Sequence, residues 1–408
     1  MSRVITNTFW LMLAQFGGLL IPLLELPVLA RALGQQSYGQ VLYALGLALT
    51  ISVFVEFGFN FSAARKVVKI RENKQELAQL VTNVLFAKLL LSFIVTCIIS
   101  ALLYFGASTT EIPHHWFIWI SFFTFALGFT PLWYYVGIEK LVLPIMLDLC
   151  LRSIGLVFII TLVSSPHHAQ RVLVIQSIIS MINTLLPTLL MIRSTGFGVF
   201  SLQGTINTLK EGWELFLYKG TQSIMGSVSS PLLGWLNGTL AIGTFVPAEK
   251  LVRAAIGLAT PMLNAAFPHI VKLQSHSANT TKRMVSITII ILFIVSIIFV
   301  MLTTYLASWV VNTIFGSEYQ DAIMLLKILV YIVPLRICSM TLAILWFIPR
   351  GKEVIASRTM MLNIIITLLI AIIFVPTFGA LGMCISLLAA EFTMFFLLLL
   401  LYFVPSLK

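Results

Sequence analysis

Charged side chains are scarce in this sequence. Lys, Arg, Asp and Glu together make up 10% of its 408 residues, whereas about 25% is usual for a soluble protein. Apolar residues make up 59%, and no single core of a soluble fold could bury that much apolar surface. The composition therefore predicts a polytopic membrane protein.

Cysteine and known catalytic patterns are also scarce. The four cysteines lie in apolar segments without C-x-x-C spacing, so we interpret them as small apolar side chains. Two pairs of adjacent histidines have no further ligands at metal-binding spacing, and we expect neither a metal nor another cofactor. The phosphate-binding pattern GxxxxGK[ST] and a Ser-His-Asp constellation are absent. These absences argue against an ATPase and against an enzyme.

Long apolar segments dominate what is present. A helix needs about 20 apolar residues to cross a bilayer, and no soluble domain interrupts the series of such segments. The first segment is too long for the apolar region of a signal peptide, so it is interpreted as a helix. The chain is predicted to form an all-α fold with about twelve transmembrane helices, at residues 7–31, 38–62, 77–104, 115–138, 142–164, 171–193, 210–237, 245–270, 284–311, 322–348, 353–375 and 379–404.

The distribution of Lys and Arg predicts the orientation of these helices. With the N-terminus inside, fifteen cations fall in cytoplasmic connections, and only Arg31 and Arg171 fall outside. Because cytoplasmic loops carry the excess of Lys and Arg, we expect both termini to be cytoplasmic. The net charge of +11 then faces anionic membrane lipids, not nucleic acid.

A weak internal repeat divides the chain in two. The segment at 33–38 resembles the segment at 240–245, and both precede a helix that runs into a basic cytoplasmic loop. A shift of six helices preserves their direction across the membrane. We therefore expect a parallel pseudo-repeat of two six-helix lobes, at residues 1–205 and 206–408.

Thirteen charged residues remain inside the predicted helices. Such residues generally face a bundle interior or a water-filled cavity, although Lys88, Lys327 and Arg358 could instead extend toward the membrane surface. The intramembrane cations are Lys88, Arg152, Lys219, Lys250, Arg253, Lys327, Arg336 and Arg358. The intramembrane acids are Glu25, Glu56, Asp148, Glu249 and Glu391.

Two helices combine charges with a polar face. At about 100° per residue, Glu249, Arg253 and Asn264 lie on one side of the helix at 245–270, and Lys219 lies on the polar side of the preceding helix. Together with Lys250, these cations predict a positively charged cleft suited to a mobile anion. Candidate substrate-binding residues are Lys219, Lys250, Arg253, Arg152 and Arg31.

The acids are candidates for coupling transport to an ion gradient. Asp148 and Glu249 each have an arginine four residues further on, and the Asp148–Arg152 pair could simply neutralise itself between packed helices. Glu56 has no cation at i±3 or i±4 and shares its face with polar residues. Glu56 is therefore the first choice for a proton-coupled carboxylate, with Glu25 second; its alternative is a structural contact with a cation on a neighbouring helix.

Several segments resemble one family over essentially the whole chain. The chain resembles the Wzx-type O-antigen flippases, in the polysaccharide-transporter branch of the multidrug/oligosaccharidyl-lipid/polysaccharide superfamily. The segments that carry the resemblance are PVLARALGQQSYG (27–39), VEFGFNFSAARKV (55–67), PAEKLVRAAIGLATPMLNAAFPHI (247–270), PRGK (349–352) and FGALGMCISLLAAEF (378–392).

The resemblance implies a two-lobed fold similar to that of MATE transporters. It also implies translocation of undecaprenyl-pyrophosphate-linked O-antigen units from the cytoplasmic to the periplasmic leaflet of the bacterial inner membrane. Alternating access would be driven by a gradient of H⁺ or Na⁺ or by downstream consumption of the flipped lipid, and the O-antigen polymerase machinery would be a partner. The alternative is a MATE-like exporter of small molecules, although a cavity for cations would favour acids over the excess of Lys and Arg seen here. A polysaccharide polymerase or ligase would need a larger external loop.

Overall fold

A computed structural model describes residues 2–106, 111–276 and 278–403. Within these ranges every regular element is a helix. The backbone is described throughout these ranges. The side chains are described too, except at residues 2–12, 14, 15, 99–106, 214, 215, 217–219, 221, 222, 225, 275, 276 and 278.

The chain forms two compact units, residues 1–231 (unit 1) and 232–408 (unit 2). The helices of unit 1 are α1 (Ser2–Glu56), α2 (Phe59–Ile70), α3 (Lys74–Gly106), α4 (Phe117–Phe129), α5 (Leu132–Gly137), α6 (Val142–Leu162), α7 (Ala169–Thr195) and α8 (Leu202–Ser227). Helix α9 (Ser229–Asn237) crosses the unit boundary. The helices of unit 2 are α10 (Thr239–His276), α11 (Ala278–Ile314), α12 (Gln320–Leu329), α13 (Ile332–Leu342), α14 (Glu353–Phe378) and α15 (Ala380–Phe403).

The described residues include ten helical spans that are long and apolar enough to cross a membrane. The first of these contains two predicted crossings, because α1 breaks at Gly34 with φ 68° and ψ 172°. A positive φ at this turn is accessible to glycine and strained for most other residues. Residues 202–237 are helical but more polar and lie outside the ten. All twelve predicted segments thus coincide with helices, and the all-α polytopic prediction is confirmed.

Two of the predicted crossings in unit 1 are interrupted. Helix α1 ends at Glu56 and α2 begins at Phe59, with positive φ at Phe57 and Gly58. Helix α4 ends before Thr130 and Pro131, where proline removes a backbone donor and disfavours helical geometry in the residue before it. The helical segments that follow these two breaks, α2 and α5, pack against each other.

The connection from α7 to α8 is bound to α3. The Gln79 Nε2 donates to the Val199 carbonyl at 2.6 Å, and the Gly198 N–H donates to Thr82 Oγ1 at 2.8 Å. These side chains satisfy an extended backbone that has no helical partners of its own. Helix α8 then packs on α1, α2 and α3 and so belongs to unit 1. The predicted boundary at 205/206 divides the chain into two lobes of six crossings each. It stays a prediction.

A close backbone contact between α14 and α15 provides a test of the packing in unit 2. A Cβ at Gly382 would meet the Phe374 carbonyl oxygen and would lie 2.8 Å from the Val375 nitrogen. We expect Gly382→Ala to destabilise the protein by about 1–3 kcal/mol, because helix backbone cannot yield as a side chain can. Thermal unfolding in detergent measures the effect. The matched control is Gly18→Ala, where nothing lies within 4 Å; equal melting temperatures for both variants would contradict the packing.

Candidate functional site

A polar cluster lies between α1, α6 and α7 in unit 1. The Gln176 side chain donates to both carboxylate oxygens of Glu25 at 3.2 Å. The Asp148 carboxylate accepts from Arg152 Nε and from Asn183 Nδ2, each at 2.8 Å. We call these five residues the N-cluster. Three of them were predicted as candidates from the sequence, and the structure brings those three together.

The N-cluster borders a small pocket of about 60 Å³. Glu25, Arg152 and Gln176 all line it. The pocket therefore has room for a few water molecules or a small ion, and it presents a carboxylate, a guanidinium and an amide to them. The two amide residues, Gln176 and Asn183, were missed from sequence, although a spacing of seven residues on α7 places them on one helix face.

A second polar cluster joins the two interrupted crossings of unit 1. The Lys88 side chain is fully buried, and its ammonium donates to the Thr130 carbonyl at 3.0 Å. That carbonyl lies at the end of α4, where the helix dipole favours a cation. Lys88 therefore does not extend to the membrane surface, and it holds the end of α4.

Glu56 stands at the other break and also interacts with Lys88. Its carboxylate lies near the side chain and the backbone N–H of Asn60 and is attracted electrostatically by Lys88. The residue before α2 is Gly58, which has no side chain to cap the helix. Glu56 supplies an acceptor to the first turn of α2 instead. This geometry agrees with the structural alternative considered for Glu56.

Unit 2 contains the pair predicted in α10. Arg253 donates to Glu249 at 2.7 Å, and the side chains are 38% and 8% exposed respectively. The half-buried Lys250 side chain is adjacent in sequence. Arg31 is exposed on α1, and the Lys219 side chain lies outside the described residues. The structure thus describes the Glu249–Arg253 pair, but it does not describe the predicted cleft.

A further pair in unit 2 links α13 to α15. Arg336 donates to Glu391 at 3.0 Å. Within the described residues, neither Glu391 Oε2 nor the buried Oδ1 of Asn363 has a hydrogen-bond partner. Met394 receives weak contacts from both Arg336 and Asn363 at 3.7 Å. The sequence places both charges inside predicted crossings but does not pair them. Their opposite signs and their lack of partners within their own helices are the signals that could have paired them.

The three arginine–carboxylate pairs that lie inside the predicted crossings share one asymmetry. Arg152 is 43% exposed and Asp148 is 26% exposed; for Arg336 and Glu391 the values are 20% and 6%. The Arg253–Glu249 pair follows the same order. In each pair the carboxylate is the more buried partner, so the surface of the pair is mainly cationic. Such a surface can attract an anion by charge and by forked hydrogen bonds.

Comparisons with known proteins place this chain in a family. A family model described as "Polysaccharide biosynthesis protein" matches residues 4–274. The chain belongs to this family. The resemblance found in the sequence is thereby confirmed at the level of the family.

Two relatives of this chain match it over almost its whole length. Each is named "Putative O-antigen transporter". The relative from Shigella dysenteriae is 28% identical over 396 residues, covering 94% of this chain and 96% of its own length. The relative from Escherichia coli (strain K12) is 24% identical over 395 residues, covering 94% and 93%.

Solved structures extend the likeness to the fold. The lipid II flippase MurJ in an inward closed conformation has a TM-score of 0.75 at 13% identity, covering 97% of this chain and 87% of its own. An inward-facing multidrug MATE transporter of the MOP superfamily has a TM-score of 0.71 at 15% identity, covering 95% of each chain. At these identities the likeness concerns the fold, and it confirms the MATE-like architecture.

The buried ammonium in unit 1 provides a test of the second cluster. We expect Lys88→Met to lower stability by about 1–3 kcal/mol, because it leaves the Thr130 carbonyl and the Glu56 carboxylate without their cation. The double variant Lys88→Met/Glu56→Gln should recover part of the loss, since the remaining charge is also removed. Thermal unfolding in detergent measures both. Lys327→Met, which removes an exposed lysine, is the control; an effect as large at Lys327 would contradict the role of Lys88.

Proposed function

We propose that this protein is a flippase for lipid-linked oligosaccharides. The substrate is an O-antigen unit linked to undecaprenyl pyrophosphate, and the protein moves it from the cytoplasmic to the periplasmic leaflet of the inner membrane. The observation that carries the proposal is the whole-chain similarity to two proteins named as O-antigen transporters, within a polysaccharide biosynthesis family. The protein acts as a transporter and catalyses no covalent step.

The intramembrane charges suit the anionic part of that substrate. A pyrophosphate is a multivalent anion, and a guanidinium can bind it with two parallel hydrogen bonds. Arg253 is held by a buried carboxylate and is itself partly exposed. In the proposed mechanism Arg253, Lys250 and Lys219 attract the pyrophosphate, with Arg152 and Arg31 as further cationic contacts. The sugars pass through the polar interior, and the isoprenoid chain stays in the bilayer.

Movement follows alternating access, with both termini in the cytoplasm as the Lys and Arg distribution indicates. The cationic surface of the arginine pairs favours an anionic substrate over the cations that many small-molecule exporters carry. The MATE-like fold by itself does not favour the exporter alternative, because one fold can serve several functions. Flipped units would pass to the O-antigen polymerase machinery.

Coupling to H⁺ or Na⁺ would use a carboxylate of unit 1. Glu25 borders the pocket of the N-cluster, where a proton or a small cation has room. Glu56 is instead committed to Asn60 and Lys88. We therefore propose Glu25 as the coupling carboxylate ahead of Glu56, with Asp148 and Glu249 held by their arginines.

Arg253 provides the test of substrate binding. We expect Arg253→Ala to abolish O-antigen display in cells that depend on this protein. Arg253→Lys should retain part of the display, because lysine keeps the positive charge but lacks the forked guanidinium. Surface glycan is measured by immunoblot with protein level monitored. The exposed loop residue Lys140 provides the control as Lys140→Ala.

A defect in Arg253→Ala could also arise because the buried Glu249 carboxylate loses this ion-pair partner. The double variant Glu249→Gln/Arg253→Ala also removes the negative charge of Glu249 and should regain stability without regaining display. Normal glycan display by this double variant would contradict a substrate-binding role for Arg253.

The response to a pH gradient separates the two candidate coupling carboxylates. In reconstituted vesicles, Glu25→Gln should still flip lipid but lose the acceleration that an imposed proton gradient gives to the wild-type protein, because glutamine cannot exchange a proton. Glu56→Gln should keep the acceleration and lose stability, since it weakens the cap of α2. A response that persists in Glu25→Gln would refute its coupling role, and a wild-type protein indifferent to the gradient would refute proton coupling.

A further inference from the structure

Cations and aromatic rings gather at one end of unit 2. Helix α13 is followed by a wide π-helical turn, Ala343–Phe347, and by a tight turn, Ile348–Arg350. This end includes the PRGK segment that contributed to the family resemblance. Such π-turns recur at functional sites, and the proposed transport mechanism gives this segment no role.

Arg350 is held against an indole ring. Its guanidinium carbon lies 3.2 Å from the centre of the Trp346 ring, and its NH1 donates to the Trp346 carbonyl at 3.2 Å. Trp346 is buried, whereas Arg350 is half-buried. The stack fixes the orientation of the guanidinium and leaves other N–H groups of the fork for an outside acceptor.

Lys282 is held by the neighbouring rings. Its ammonium lies 5.5 Å from the centre of the Tyr402 ring and 5.9 Å from that of Phe403. Tyr402 is fixed by a hydrogen bond between its hydroxyl and Ser286 at 2.8 Å. Its ring packs edge-on against Trp346 with a centroid distance of 4.6 Å. One aromatic pair therefore positions both cations, and we call Lys282 and Arg350 the ring-held cations.

Within the part of the chain that the structure describes, no carboxylate balances the charge of the ring-held cations. Among the described residues, no carboxylate forms an ion pair with either of them. The indole N–H of Trp346 is buried and, within the same residues, has no acceptor. Donors are thus in excess at this end of the unit, and an anion would neutralise the cations.

An exposed apolar stripe on α15 leads up to Lys282. Phe396, Leu400 and Phe403 are 48%, 57% and 60% exposed, and their spacing of four and three residues places them on one helix face. Phe403 also contacts the Lys282 ammonium. In a membrane-spanning helix such a stripe faces lipid chains. The cations therefore lie where the chains of a bound lipid would meet its headgroup.

We propose that the ring-held cations form a binding site for an anionic phospholipid of the surrounding bilayer. The phosphate contacts Lys282 and Arg350, and the acyl chains lie along Phe396, Leu400 and Phe403. A basic pocket between helix ends is a known mode of headgroup binding. The site is separate from the Glu249–Arg253 pair, and it does not depend on the proposed transport function.

Native mass spectrometry of the full-length protein tests the site with phosphatidylglycerol as the probe and phosphatidylcholine as its zwitterionic comparison. The wild-type protein should retain phosphatidylglycerol in preference to phosphatidylcholine. In Lys282→Gln/Arg350→Gln the affinity for phosphatidylglycerol should fall about ten-fold or more, as expected for the loss of two cations near a headgroup. Lys282→Gln alone should show an intermediate loss of affinity. This single variant replaces the double variant in the test if the double variant fails to fold.

The matched control is Lys272→Gln/Arg283→Gln, which removes two exposed cations from neighbouring helix ends. It should change phosphatidylglycerol affinity less than two-fold. An equal loss in the control would show unspecific attraction and overturn the site. Displacement of phosphatidylglycerol by an equimolar amount of undecaprenyl pyrophosphate would instead assign the site to the transported lipid. Displacement by inorganic phosphate alone would show that the apolar stripe has no role in binding.

Discussion

A charge inside a membrane-spanning helix requires a partner, because the surrounding lipid cannot solvate it. This protein satisfies the requirement in two ways. Asp148–Arg152 and Glu249–Arg253 pair within one helix, so they need little from the tertiary fold. Arg336–Glu391 pairs across α13 and α15, and Lys88 reaches from α3 to the end of α4. These contacts between helices make the packing of each unit depend on where its charges lie.

The same requirement governs the interrupted helices. A break inside a crossing exposes backbone groups that lipid cannot satisfy. At one break Glu56 accepts from the start of α2, and at the other Lys88 donates to the end of α4. Helix breaks and buried charges thus stabilise each other, since each supplies the polar partner that the other lacks.

Charge pairing also leaves a usable surface. In the three intramembrane arginine pairs the carboxylate is the more buried member, so the cation is the more exposed charge of each pair. An arginine fixed in this way can bind an anion with little reorganisation. For the proposed lipid-linked pyrophosphate, structural pairing and substrate binding would then use the same arginine.

The sequence alone determined the class of fold, the membrane crossings and the pairs within one helix. Hydrophobic length and a period of about 3.6 residues depend only on neighbours along the chain. The tertiary structure decided the contacts of residues far apart in sequence: Gln176 with Glu25, Lys88 with Glu56, and Arg336 with Glu391. It also put α8 with unit 1 and the Trp346 ring, which holds Arg350, against Tyr402. Helical periodicity specifies which face a side chain occupies, but which helix packs against that face depends on the fold of the whole chain.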